Sequence, residues 1–268
     1  MSSANGDVFD KDLNPVINAC NNEELQFLVD LLSDTFTNFL TIEDDYKKYY
    51  PDHQKYAGLI AAHIRRFGGN SFANFWRALK NDSSNVTSVG PQYREIVGDV
   101  AEKLKVQFNK NNPTDELELL ILKKITEKYL SEATEEQKKA ILKEMSAGTG
   151  KNVKDITTAA ALVMNGGITA SAALTNLISA GSIGGFHLMT LASHYALRAM
   201  VGRGLPMAMT LSCSSVLPLY AGPIGWAVSG IWSLFGIASQ AYRVTVPAVI
   251  YVAMLRNRQR WKQQGEEL

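Results

Sequence analysis

The side chains that could do chemistry are few and scattered. His187 and His194 lie seven residues apart and so share one face of a helix. On an apolar helix such a pair could sense protonation or hold a metal, but no third ligand accompanies it, and the pair reads as packed histidines. Glu43, Asp44 and Asp45 form an acidic cluster. No glycine-containing calcium loop follows it, and three acids at this spacing suit the first turn of a helix. The stretch GTGKNVKD from Gly148 resembles a phosphate-binding loop only superficially. Met145 occupies the position of the first glycine, Asn152 stands where a metal-binding Ser or Thr belongs, and a helix precedes it instead of a strand. Ser212, Ser214 and Ser215 sit in an apolar run with no nucleophile elbow, and Cys20 and Cys213 have no metal-ligand spacing around them. The sequence thus predicts no catalytic residue, no metal site and no cofactor.

The elements that carry these residues divide the chain. Acidic residues predominate before Ile156, whereas beyond it Glu266 and Glu267 are the only acids. From Gly204 to Tyr242 there is no charged side chain, and from Ile156 to Leu197 there is none apart from the two titratable histidines. An uncharged stretch of that length must be covered by a protein core, a partner or a bilayer. The pattern predicts an all-α protein, with a charged N-terminal helical bundle over residues 1–150. An apolar, small-residue-rich C-terminal bundle or hairpin assembly over 151–268 follows it. A net charge of +1 and a short basic cluster argue against nucleic-acid binding.

In the front half, Asn21 with Glu24 and Thr134 with Gln137 form capping boxes. Tyr56, Leu59, Ile60, His63 and Ile64 fall on one helical face after Pro51, which places His63 in packing and not in catalysis. Gly68 and Gly69 end that helix, and at least one of them is expected to need a positive φ. Pro91 begins another helix, and Gly148 closes the one that carries Ile141 and Met145.

In the back half, Pro223 to Ala241 is about long enough to cross a bilayer, which takes roughly twenty residues. Trp226, Ile231, Trp232 and Phe235 are its candidate membrane-contacting residues. The apolar run Val244 to Leu255, interrupted by Pro247, leads into Arg256, Arg258, Arg260, Trp261 and Lys262. Basic residues with a tryptophan beside an apolar helix suit an anionic membrane surface, and they equally suit a solvated helix end. On the first reading, replacing Arg256, Arg258 and Arg260 by Gln leaves folding intact.

The strings NACNNEELQFLVDLL, YYPDHQKYAGLIAAHIRRFGGNSFANFWR, YREIVGDVAEKLKV, GRGLPMA and AGPIGWAVSGIWSLFGIASQAYRVTVPAVI carry a resemblance over most of the chain. They resemble the YaaW-like family of bacterial proteins, and the central region is similar to the ubiquinol-cytochrome c chaperone domain. The first resemblance implies a bacterial, helical, intracellular protein and transfers no catalytic site. The absence of a basic n-region and apolar h-region at the N-terminus accords with the cytoplasm.

Two functions are expected to compete. One is a non-enzymatic protein that attaches to or conditionally inserts into the inner membrane, with anionic lipid as partner and homo-oligomers as a further state. Its membrane-seeking segments would be Ile156 to Met200 and Pro223 to Ala241. The other is a chaperone-like assembly factor that receives an apolar protein segment in a groove around Phe67, Phe72, Phe75 and Trp76.

Overall fold

The computed structural model describes residues 9–33, 40–68, 90–148, 183–201 and 240–263. Among the described residues every regular element is helical, as the caps and the 3.6-residue periodicity predict. In chain order these are α1 (Asn14–Asn18), α2 (Asn22–Ser33), α3 (Asp44–Tyr49), α4 (Ala57–Phe67), α5 (Tyr93–Lys103), α6 (Thr114–Glu132), α7 (Glu135–Gly148), α8 (Ile183–Val201) and α9 (Gln240–Gln263). Short 3-10 turns cover Leu40–Ile42 and His53–Tyr56.

Local chemistry sets several of these boundaries. The Asn21 side chain accepts the Glu24 N–H at 2.8 Å while the Glu24 carboxylate accepts the Asn21 N–H at 2.9 Å, so α2 begins in a reciprocal capping box. Thr134 and Gln137 do the same for α7. Glu43, Asp44 and Asp45 form the entrance to α3, where the helix dipole favours them. Gly68 differs from expectation. Its φ is −73°, ordinary extended backbone, so no left-handed conformation is required there. Its constraint is space: a Cβ at Gly68 would lie 2.2 Å from Cδ1 of the fully buried Ile96. Gly69 lies outside the described residues.

The core joins helices that are distant in sequence. α6 presents Leu117, Ile121, Leu122, Ile125 and Tyr129 on one side, and it packs against α5, α8 and α9. α9 in turn contacts α1, α2, α4, α5, α6 and α8. Its segment Val244–Leu255 is buried throughout and belongs to the same hydrophobic cluster as Leu13, Leu28, Ile60 and Ile96. Val244, Thr245, Val246, Val249, Ile250 and Val252 are β-branched and favour strands, yet burial on all sides outweighs that modest propensity. Pro247 removes one helical N–H inside α9. Nearby, the Thr245 hydroxyl donates at 2.9 Å to the Phe67 carbonyl at the end of α4, which ties the two helices together. Helices on both sides of residue 150 therefore share one core.

Candidate functional site

The basic end of α9 is the part of the described structure where sequence-predicted site residues converge, and Arg256, Arg258 and Trp261 there meet partners on other helices. α9 runs antiparallel to α6, so Arg256 and Arg260, one turn apart, meet Glu118 and Asp115, also one turn apart in the opposite sense. The Arg256 guanidinium donates to the Glu118 carboxylate and to the Asp12 carbonyl. Glu118 also accepts the Tyr93 hydroxyl at 2.9 Å, and its side chain is only 2% exposed. Burial raises the Glu118 carboxyl above its ordinary value, with the Arg256 charge and the Arg256 and Tyr93 hydrogen bonds pulling it back. A guanidinium keeps its proton, so Arg256 presents a full positive charge to this carboxyl.

Arg258 leaves α9 on another side and meets Glu24 at 2.7 Å. One carboxylate thus caps α2 and holds α9. The Tyr251 hydroxyl donates to the Glu24 carbonyl at 2.8 Å, its ring lies 4.4 Å from that of Phe27, and Gln259 donates to the Val16 carbonyl at 3.0 Å. Trp261 is 8% exposed, with its ring 4.8 Å from Phe186 of α8. Arg256, Arg258 and Trp261 are thus taken up by contacts within the chain, with carboxylates of α2 and α6 as the counter-ions that a charge on a largely buried helix requires. Arg260 with Asp115 is the outermost pair, and Lys262 is exposed.

A second charged node supports the first. The Asp10 carboxylate, itself buried, accepts N–H groups of Asp12, Leu13 and Tyr93 and lies 3.5 Å from Arg65. Arg65 donates to the carbonyls of Gly90 and Pro91. Asp10, Asp12, Glu118 and Asp115 were not singled out by sequence reasoning. A signal existed for Glu118, since it sits on the apolar stripe of α6 between Leu117 and Ile121, where an unpaired acid is costly.

Phe67 is 3% exposed and fills the core, so the chain's own packing occupies its surface. Phe72, Phe75, Trp76, Trp226, Ile231, Trp232 and Phe235 lie outside the described residues. His63 is buried and meets Glu43 at 3.1 Å, in packing as expected. His187 and His194 are buried on α8. Among the described residues no group of three or more His, Cys, Asp or Glu side chains could hold a metal ion, and no helix is long and apolar enough to cross a membrane.

No family model and no solved structure matches the chain. It is similar to a UPF0174 protein of Helicobacter pylori strain J99, 35% identical over 217 residues that make up 81% of this chain and 77% of the relative. A second UPF0174 protein of that strain is 31% identical over 82% of this chain and 96% of its own length. The UPF0174 protein YaaW of Escherichia coli K12 is 28% identical over 76% of this chain and 72% of the relative.

Proposed function

The chain belongs to the UPF0174 family, and we propose that it is a non-enzymatic helical protein that associates with a bacterial membrane, inserting conditionally through the uncharged sequence of its second half. In this reading the charged first half is the water-facing body and residues 204–239 supply the apolar contact, at the cytoplasmic face of the inner membrane.

The observation that carries the proposal is the attachment of α9. It begins where the uncharged stretch from Gly204 to Tyr242 ends, and three arginine–carboxylate pairs then fasten it to α2 and α6. An apolar segment joined to a water-soluble body by a buried, cross-braced helix suits anchoring, because force on the segment passes into the bundle. With these arginines engaged, apolar burial and not anionic attraction supplies the membrane affinity.

The test is carbonate and detergent extraction of the untagged protein from cells, followed by flotation of the purified full chain with neutral and anionic vesicles. Carbonate-resistant, detergent-released protein that floats with both vesicle types supports the proposal. Protein that stays wholly soluble and ignores both at neutral and acidic pH overturns it, and the assembly-factor reading then takes its place.

A further inference from the structure

The histidine pair of α8 is not used by the proposed attachment. We infer that His187 and His194 form a proton-operated joint, in which charging the two imidazoles releases α8 from its seat against α6, α7 and α9. The inference rests on the seat and not on the membrane reading.

Both imidazoles are enclosed: His187 is 3% and His194 7% exposed. α8 is packed by α6, α7 and α9, with Tyr195 stacked on Tyr129 at 6.0 Å and Phe186 against Trp261. His194 Nδ1 and its neighbour Ser193 Oγ are buried without a hydrogen-bond partner among the described residues. A neutral imidazole tolerates this site as an aromatic ring. An imidazolium has two N–H donors and a charge to satisfy, yet among the described residues His194 Nδ1 has no acceptor and no acid acts on either imidazole.

The surrounding charges do not help. α6 carries Asp115, Glu116, Glu118, Glu127 and Glu132 with Lys123, Lys124 and Lys128, α7 carries Glu135, Glu136 and Glu144 with Lys138, Lys139 and Lys143, and α9 carries Arg243, Arg256, Arg258, Arg260 and Lys262 but no acid. None of these is a source of the shift at either imidazole. After burial, the charge that acts on His194 is Arg198, one turn along α8, and it opposes protonation. Burial lowers His187, and burial with Arg198 brings His194 to about 4.

The sign follows directly. Folded values below the unfolded value of about 6.5 mean that the stabilisation is complete above that pH. It is lost as pH falls from about 6.5 toward the folded values. At pH 5, His194 alone shifts the docking equilibrium by roughly thirtyfold toward release. Buried His53, held between Gln26 and Tyr56, is also lowered by burial, so its contribution too is lost as pH falls below about 6.5. Its place beside α2 makes a regional readout necessary. Glu118, raised by burial, works in the opposite sense.

The test is hydrogen exchange of the full chain in the absence of lipid at pH 7.5 and 5.0, corrected for intrinsic rates. Peptides across 183–201 should lose tenfold or more of their protection at pH 5.0, and a His187→Leu, His194→Leu double variant should retain it. The inference is overturned if wild-type α8 keeps its protection, or if the double variant loses as much as wild type. Should the double variant not fold, imidazole proton titration by NMR of the wild type decides. Ring signals of His187 and His194 that titrate near pH 6.5 while α8 stays protected overturn the joint, and signals that titrate only as protection is lost support it. Flotation is scored separately, so a working joint in a protein that ignores vesicles refutes the membrane reading alone.

Discussion

Replacing Arg256 by Gln should cost far more than a surface arginine would. The substitution leaves Glu118, with its side chain 2% exposed, in contact with the Tyr93 hydroxyl but without a counter-ion. Breaking a buried ion pair by removing one partner costs about 3–5 kcal/mol. Arg256 is itself 17% exposed and solvent screens part of the interaction, so we expect the lower end, about 3 kcal/mol, of a total stability of roughly 5–15 kcal/mol. Glu118 can escape by taking up a proton, and each unit of pKa change corresponds to about 1.4 kcal/mol. The loss should therefore shrink on acidification, and adding Glu118→Gln to Arg256→Gln should recover part of it. Arg260→Gln is the internal control: its pair with Asp115 is 47% and 34% exposed and contributes about 1 kcal/mol or less. Urea denaturation of the full chain at pH 7.5 and 5.5, followed by far-UV circular dichroism, measures all three variants. Equal small losses for Arg256→Gln and Arg260→Gln, with no pH dependence, would refute the reasoning. The Arg256, Arg258, Arg260 triple replacement, expected from sequence to leave folding intact, should instead unfold or severely weaken the protein.

Gly68→Ala should destabilise by about 1–3 kcal/mol through overpacking against Ile96, and Ile96→Val, which removes the nearest carbon, should partly rescue it; equal losses in the single and double variants would dismiss the contact. Lys105 has φ of 56° just past α5, where the Val106 N–H closes back on the Ala101 carbonyl. Lys105→Gly should therefore raise the thermal midpoint, by an increment of about 0.5–1 kcal/mol, and a fall would show that the left-handed position is not strained. Burial pushes the Cys20 thiol up to about 12, so site-resolved mass spectrometry should find it alkylated only at the rate of local opening, many times slower than in urea.

What the sequence made legible was local. The capping boxes at Asn21 and Thr134, the buried face of α4 and the packed role of His63 depend on residues three or four apart, and helix geometry alone determines them. What it concealed was long-range. Arg256 meets a carboxylate 138 residues away and Arg258 one 234 residues away, and no periodicity links such partners. A basic run after an apolar helix has the same composition whether its counter-ions are lipid phosphates or carboxylates of the same chain. Glu118 amid leucines and isoleucines was the one local sign that a cation had to arrive. Trp261 misleads for the same reason, since an indole suits both an interface and a helix contact.

The placement of α9 also orders events during synthesis. α1, α2, α4, α5 and α6 are all made before the helix that fills the space among them, and the uncharged stretch 204–239 is made just ahead of it. At about 5–20 residues per second, translation from the end of α6 to the end of α9 takes on the order of ten seconds. During that interval the front helices lack Val244–Leu255 as their common neighbour, and the uncharged sequence emerges beside an open bundle. Until α9 is made, the helices on its buried side have nothing to cover the apolar faces that Val244–Leu255 fills in the finished fold.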